Sequence, residues 1–500
     1  MKIRQRLLMM AASMLALPLG ASAQYVSGTP QSTETATVLT LEDALRIALS
    51  ENIAVKVADQ EIKRAEYAKK GTYASLFPQI DASGAFQRTI KKQVMYMDFD
   101  MSAFGGGAGS GEDVDLPEGV ELPDGFDVPG GNSGSSSKNN GGGIEVGRWN
   151  TFNGGVSASM PLVNAQLWKS IQISGDAVEL AVEQARSSRL DMVTQVKQAF
   201  YGALLAKEAF DVYKSVYENA VDNFGQVEKR YKVSKASELE YTRAKSNVAS
   251  AIPNVYSSES QVILALWQLK AVMGVDLDMD IDVAGSLADY ADTMLRDINE
   301  AGEADLSGNT SLRQLAIQAE QIAKTVQLQK YATLPSLAVA FSYSMNAMTN
   351  DFNFSEYRWT PYSYVGLQLS IPIFAGGRRY NSIRQAQVQQ KELDLQKINA
   401  ERQLKIAVRQ YVTTMETSMK SYASALEAVD LAQKAYDISA KSYAVGKSTI
   451  TDLNDSQLML TQAELGKSQA IYNYVVAKSN LEKTIGHDFL DEEGNADLGL

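Results

Sequence analysis

The chain has no cysteine and a single histidine, His487, in 500 residues. Without cysteine there is neither a disulfide framework nor a thiol to carry an N-terminal lipid. With one histidine beside Gly486, no phosphate-binding glycine loop and no metal-ligand cluster, the sequence offers no catalytic residue, no cofactor and no metal site. It is not expected to be an enzyme. Beyond the N-terminus no apolar run reaches 18 residues, so no membrane-spanning helix is expected in the mature protein. Basic clusters are missing as well. Lys and Arg number 47 against 59 Asp and Glu, a formal charge of −12, which is the wrong balance for neutralising phosphates, and nucleic acid is excluded as a partner. A hydrophobic fraction of 45% is ample for a core, so stability must come from packing and assembly.

What is present begins with MKIRQRLLMMAASMLALPLGASA over residues 1–23: a basic start (Lys2, Arg4, Arg6), an apolar middle and Ala21-Ser22-Ala23 before Gln24. This pattern predicts a secretory signal peptide, cleaved to leave a mature chain of charge −15. Residues 24–38 are expected to be flexible.

The remainder reads twice. Leu49-Ser50-x-Asn52 stands 26 residues before Pro78, and Leu306-Ser307-x-Asn309 stands 26 before Pro335, an offset of 257. GVSASMPLV around Pro161 matches VGLQLSIPIF around Pro372 at an offset of 211, and YKVSKASELE from Tyr231 matches YAVGKSTITDLND from Tyr443 at 212. Such periodicity predicts a tandem repeat, 39–290 and 291–490, with a tail at 491–500. The two offsets differ by 46 residues, which fall in the first half between Pro78 and Pro161. They correspond to a Gly/Pro-rich acidic stretch, 105–143, inside a loop of about 89–149 that cannot bury a core. Within it DLPEGV, ELPDGF and DVPGGN form a six-residue repeat with Pro and Gly placed for type I turns. A mobile surface loop is favoured over a calcium-binding or ligand-binding lid, and soft-metal capture by Met95, Met97 and Met101 ranks lower still.

Near the four prolines, Pro78, Pro161, Pro335 and Pro372, short stretches alternate with period two. Phe152, Gly154, Val156, Ala158 and Met160 alternate with Thr151, Asn153, Gly155, Ser157 and Ser159. Leu337, Val339, Phe341 and Tyr343 alternate with Ser336, Ala338, Ala340 and Ser342. Four strands of about 10 residues, apolar on one face, fit a tilted bilayer crossing. Trp359, Tyr362 and Tyr364 would suit an interfacial belt or loop packing.

Long helices lie between. Residues 378–445 contain neither Gly nor Pro, and Leu404, Ala407, Val408 and Tyr411 keep helical spacing, as do Val193, Val196, Phe200 and Leu204. The 70 residues from Pro161 to Tyr231 and the 71 from Pro372 to Tyr443 predict two rods of about 105 Å. Two shorter helices, 41–77 behind a Thr40/Asp43 cap and 238–272, would stack end to end to about 108 Å. The acidic stretch 273–307 would interrupt the stack. Its DLDMDID run has Ile281 where a calcium loop requires Gly, and is expected to be an edge strand with solvated aspartates.

Four strands cannot close a barrel, and an open edge is not tolerated in lipid. The chain must therefore oligomerise, and two copies or three would both close. The strand-to-helix junctions, LTLEDALRIALSEN, and YAVGKSTITDLND closely resemble the TolC family of outer-membrane efflux channels, over nearly the whole mature chain except the insertion and the first 15 or so mature residues. That resemblance implies an α+β membrane protein: a homotrimer whose 12-stranded β-barrel, four strands per chain, continues into a 12-helix periplasmic α-barrel of coiled helices.

The resemblance also implies a passive exit duct in the outer membrane of a Gram-negative bacterium. It would work with a periplasmic adaptor (membrane fusion) protein and an inner-membrane pump of the resistance-nodulation-division or ABC type. Tyr443, Ser448, Thr449, Asp452 and Asp455, with Glu240 at the acid position of the first half, would form a periplasmic gate. Val233, Ser234 and Lys235, with Val445, Gly446 and Lys447, would receive the adaptor. The chain departs from the family's best-known member at Ser448, where that member has arginine; Lys447 beside it is a flexible point charge rather than a planar fork. The same duct serves drug efflux, metal efflux and type I protein secretion. A periplasmic coiled-coil structural protein is the rival of a different class, but it leaves the alternating strands at every helix junction without a purpose.

Overall fold

The computed structural model describes residues 37–95, 144–291, 294 and 305–487. The expected signal peptide, residues 24–36, the 105–143 stretch, Met97, Met101 and the 491–500 tail lie outside them. The chain runs β1 (Thr37–Leu39), α1 (Leu41–Glu51), α2 (Ile53–Ala74), β2 (Gln79–Arg88), β3 (Gln93–Met95), β4 (Ile144–Val146), β5 (Asn150–Val163), α3 (Ala165–Lys232) and α4 (Glu238–Met273). Then follow β6 (Ile281–Val283), a 3-10 turn (Leu287–Tyr290), α5 (Thr310–Tyr331), β7 (Ser336–Thr349), β8 (Thr360–Ser370), α6 (Arg378–Ala444) and α7 (Ile450–Ile485).

β2, β5, β7 and β8 form one antiparallel sheet in that order, leaving β2 and β8 as its edges. The register keeps the two faces distinct across all four strands. Ile80, Ala158, Phe341 and Val365 fall in one row, and Asp81, Ser157, Ser342 and Tyr364 in the next, on the opposite face. The apolar face is bare: Val365, Leu367 and Leu369 are 74%, 71% and 60% exposed. Asp81 and Arg88 are the only charged side chains in the four strands.

One expectation is corrected by this register. Tyr362 and Tyr364 stand opposite Ser344 and Ser342, on the small polar face, so they do not border the apolar one. The aromatic group at that border comprises Phe86 and Phe152, with ring centroids 4.7 Å apart, and Tyr357, 5.3 Å from Phe152.

The helices come in matched lengths. α3 and α6 have 68 and 67 residues, α4 and α7 have 36 each, and α2 and α5 have 22 each. Residues 41–77 are not one helix. Asn52 is extended, and its side chain accepts from the Ala54 and Val55 amides, so α1 ends and α2 starts afresh. The Asn52 Nδ2 then donates to the Val272 carbonyl at 2.6 Å, joining the start of α2 to the end of α4. Asn309 does the same between α5 and α7, capping Leu312 N and donating to the Thr484 carbonyl at 2.7 Å. Two stacked helices of 22 and 36 residues therefore make a rod of about 87 Å beside α3 at about 102 Å. The shortfall against expectation is the turn at Asn52, which sends α1 sideways.

That displaced helix builds the principal core. Leu45 and Ala48 of α1 pack on Val193, Val196, Phe200 and Leu204 of α3 and on Leu269 and Met273 of α4, closed over by β6, Leu287 and Met294. β6 pairs in parallel with β1. Its Asp282 is not simply solvated: Lys207 donates to both carboxylate oxygens, at 3.0 and 2.8 Å, tying the strand to α3.

Each stacked junction depends on a left-handed glycine closing the upper helix, Gly274 (φ 78°) and Gly486 (φ 73°). A Cβ on Gly486 would lie 2.0 Å from the Gly308 carbonyl oxygen, whereas one on Gly274 would meet Asn52 Cα at 3.0 Å. Gly274→Ala is expected to cost about 1–2 kcal/mol for the left-handed backbone. Gly486→Ala should cost clearly more, because backbone must move. Thermal melting of the detergent-solubilised protein checks this, with the Gly486 variant the lower of the two.

Candidate gate at the helix turns

The α3–α4 and α6–α7 turns are built alike. Ser234 N and Gly446 N donate to the Tyr231 and Tyr443 carbonyls at 2.9 and 3.0 Å, and Lys235 N and Lys447 N reach back to Arg230 and Ser442, both at 2.8 Å. The residue at the bend has positive φ in each: 78° at Gly446 and 57° at Ser234, the only described non-glycine residue in that region. This 6→1 and 5→2 bonding satisfies the last carbonyls of each long helix. It also pushes Val233 and Val445 outward, 62% and 70% exposed, with Lys235 and Lys447 exposed beside them.

Above the turns a small apolar cluster, Val227, Ala244, Tyr443, Ile450 and Leu453, joins the two hairpins. Tyr443 is only 5% exposed. Its hydroxyl donates to Glu240 Oε1 at 2.7 Å, and Arg230 Nη1 lies 3.6 Å from the same oxygen. The Arg230 guanidinium also lies over the Tyr443 ring, 5.6 Å from its centroid. Burial, and then the Glu240 carboxylate, hold the Tyr443 hydroxyl well above the usual tyrosine range, with Arg230 opposing. It thus stays a donor at pH values where an exposed tyrosine begins to ionise. Arg243 Nη1 to Thr451 Oγ1 at 3.5 Å and Asn247 Nδ2 to Asn454 Oδ1 at 3.0 Å add polar links between the same hairpins.

Glu240 and Asp452 occupy matching third positions of α4 and α7 but act differently. Asp452 folds back on its own helix start, accepting from Thr449 N at 2.9 Å and Thr449 Oγ1 at 2.8 Å, while Thr449 Oγ1 accepts from Asp452 N at 3.2 Å. This capping box, the T-x-x-D spacing also used by Thr40 and Asp43, holds the Asp452 carboxyl below the ordinary range, the Thr449 backbone bond first. Glu240, one methylene longer, leaves its cap to Ser237 Oγ, 3.1 Å from its amide, and crosses to Tyr443. Asp455 is exposed one turn along from Asp452, and Ser448 is half-buried at the bend. Arg230, Arg243 and the Asn247–Asn454 pair were not foreseen from sequence. Arg230 was visible only as the residue before the doubled Tyr-x-Val motif.

The four prolines border the sheet at its helical end. Pro78 and Pro335 directly precede β2 and β7 and Pro372 follows β8, while Pro161 lies inside β5, where the register with β7 shifts.

A sheet with one continuous apolar face, carried on helical rods of about 100 Å, has the build of an outer-membrane channel. The chain belongs to the outer membrane efflux protein family, which matches residues 127–275 and 303–487. It is 20% identical over 340 residues to outer membrane protein TolC of Vibrio cholerae, covering 66% of this chain and 76% of that protein. It is 24% identical over 355 residues to the alkaline protease secretion protein AprF of Pseudomonas aeruginosa, covering 69% and 70%. In fold it is similar to the Campylobacter jejuni CmeC outer membrane channel, with a TM-score of 0.63 at 16% identity over 97% of this chain and 95% of that one. The protein is an outer-membrane efflux or secretion duct of the Gram-negative cell envelope, extending into the periplasm.

A hydrogen bond to a charged acceptor contributes about 1.5–3 kcal/mol. Tyr443→Phe should therefore lower hydrogen-exchange protection of the α6–α7 turn by about tenfold to a hundredfold. Because the folded pKa of this tyrosine is raised, the bond's contribution is fully present below pH about 10. It is lost only as pH rises through the elevated folded value, so wild-type protection from this bond should hold across neutral and mildly alkaline pH.

Proposed function

We propose that three copies of the chain close a 12-stranded barrel in the outer membrane and continue it as a 12-helix tunnel across the periplasm. The tandem halves would supply equivalent rods, and the helix turns would meet at a closed periplasmic entrance. The observation that carries this reading is the sheet: two unpaired edges and a bare apolar face on a chain whose place is the outer membrane. Lipid leaves a backbone no partner but another strand, and three sheets make a barrel of a size found in such membranes.

In this reading the Tyr443, Glu240 and Arg230 contact fastens the two hairpins of each copy, and opening requires its release. Arg230, from within the chain, supplies a guanidinium at the tip although Ser448, with Lys447 beside it, stands where the family's best-known member has arginine. Val233, Ser234 and Lys235, with Val445, Gly446 and Lys447, present two equivalent exposed knobs to the periplasm, suited to the hairpin of an adaptor that couples the duct to an inner-membrane pump. Small-molecule efflux is favoured over protein secretion or metal efflux, and susceptibility profiling of a deletion strain with adaptor copurification tests the choice.

Threefold symmetry would gather six carboxylates, Asp452 and Asp455 of each copy, around a narrow axis and focus a negative field there. Single channels in planar bilayers should then be cation-selective and blocked from the periplasmic side by trivalent cations. Asp452→Asn with Asp455→Asn should abolish the block while leaving an acceptor for Thr449 at the start of α7. Unchanged block would place the negative ring elsewhere.

Residues 105–143 are predicted to be dispensable, because the 350–359 connection of the second half joins β7 to β8 without such an insertion. Their deletion should leave assembly and transport intact, and loss of the assembled protein on gel filtration would show the segment to be structural.

A further inference from the structure

The end of the sheet farthest from the helices carries a surface that neither the tip nor the tunnel uses. On the apolar face the row Phe86, Phe152, Ala347 is succeeded by the row Arg88, Asn150, Thr349. Phe352, from the β7–β8 connection, lies 6.1 Å from Phe86 and under the Arg88 guanidinium, 5.7 Å from its ring centroid. Lys92 stands over Trp149 at 5.0 Å, and Lys91 is exposed beside it.

Aromatic rings belong at the boundary between hydrocarbon and water, with long cationic side chains reaching just above it. Among the described residues, Arg88, Lys91 and Lys92 form no ion pair with a carboxylate. The Asp351 carboxylate is taken up within its own turn, by Thr349 Oγ1 at 2.7 Å and Asn353 N at 3.2 Å. Segments 88–95, 144–150 and 349–360 hold five cations against three carboxylates, whereas the sequence between the first two, 96–143, holds nine carboxylates against one lysine.

We propose that this rim binds the phosphorylated glycolipid of the outer leaflet, its acyl chains lying along Phe86 and Phe152 and its phosphates held by Arg88, Lys91 and Lys92. Arg88 offers the planar fork that suits a phosphate, and the two lysines, three and four residues further on, add point charges. The proposal rests on the reading that the apolar face meets lipid.

The test is native mass spectrometry of the detergent-purified full chain, titrated with bis-phosphorylated lipid A, with dephosphorylated lipid A and with inorganic phosphate. Each cation near an anionic surface is worth about fivefold in affinity. Arg88→Gln, Lys91→Gln and Lys92→Gln together should weaken bis-phosphorylated lipid A by about a hundredfold, with dephosphorylated lipid A weak towards wild type and variant alike. The Lys91→Gln, Lys92→Gln pair lies outside the β2–β5 ladder and spares folding; it should lose about thirtyfold. Equal binding by wild type and variants, or displacement of the lipid by inorganic phosphate, overturns the proposal. A fluorophore on Leu367→Cys, read in brominated lipid, separates two kinds of failure. Quenching with unaltered lipid A binding removes the rim alone, whereas absence of quenching removes the lipid-facing sheet beneath it.

Discussion

A strand edge in hydrocarbon has no water to bond to, and each unpaired backbone group there costs several kcal/mol. That constraint falls on β2 and β8, the open edges of the four-stranded sheet. In the proposed barrel, hydrocarbon against one face accounts for the strict alternation of the strands and for their near lack of charge, with only Asp81 on the polar face and Arg88 at the far end of the apolar one. A sheet of this kind is unfinished in one copy, and the proposed threefold closure supplies the missing partners without further elements.

The helical part answers a different requirement, to carry that sheet on long rods. A single buried core cannot run the length of such a body, so packing is concentrated in two places. One is the belt where α1, β1, β6 and the 3-10 turn lie against α3, α4 and α7; the other is the small cluster around Tyr443. Between the belt and the sheet, α2 and α5 begin where α4 and α7 end, and the joints are made by side-chain amides and glycines instead of by continuous helix. Asn52 and Asn309 each satisfy two helix ends at once, capping one and bonding a terminal carbonyl of the other.

Much of this was legible in the order of residues. Period-two alternation and repeated prolines located the sheet, and the long Gly- and Pro-free stretch located α6. The doubled Tyr-x-Val motif located both turns. The misses have physical reasons. Leu-Ser-x-Asn was visible twice, but that its Asn starts a helix and does not continue one depends on Val272 and Thr484, more than 170 residues away. Tyr362 and Tyr364 share the parity of Gln368, so their face is legible in the alternation of β8 alone. Asp452 sits at the spacing already recognised for Thr40 and Asp43, yet its cap was obscured by its place in the gate pattern. The approach of Arg230 to Glu240 and Tyr443 brings together residues from three helices, and sequence spacing carries no trace of it.

Closure of the sheet by further copies of the chain is what the proposed duct requires above all. The measurement that tests it most directly is the mass of the full-length protein in detergent, by sedimentation with the bound detergent subtracted. Three chains per particle, unchanged on dilution, are predicted; a stable monomer or a pair would contradict it.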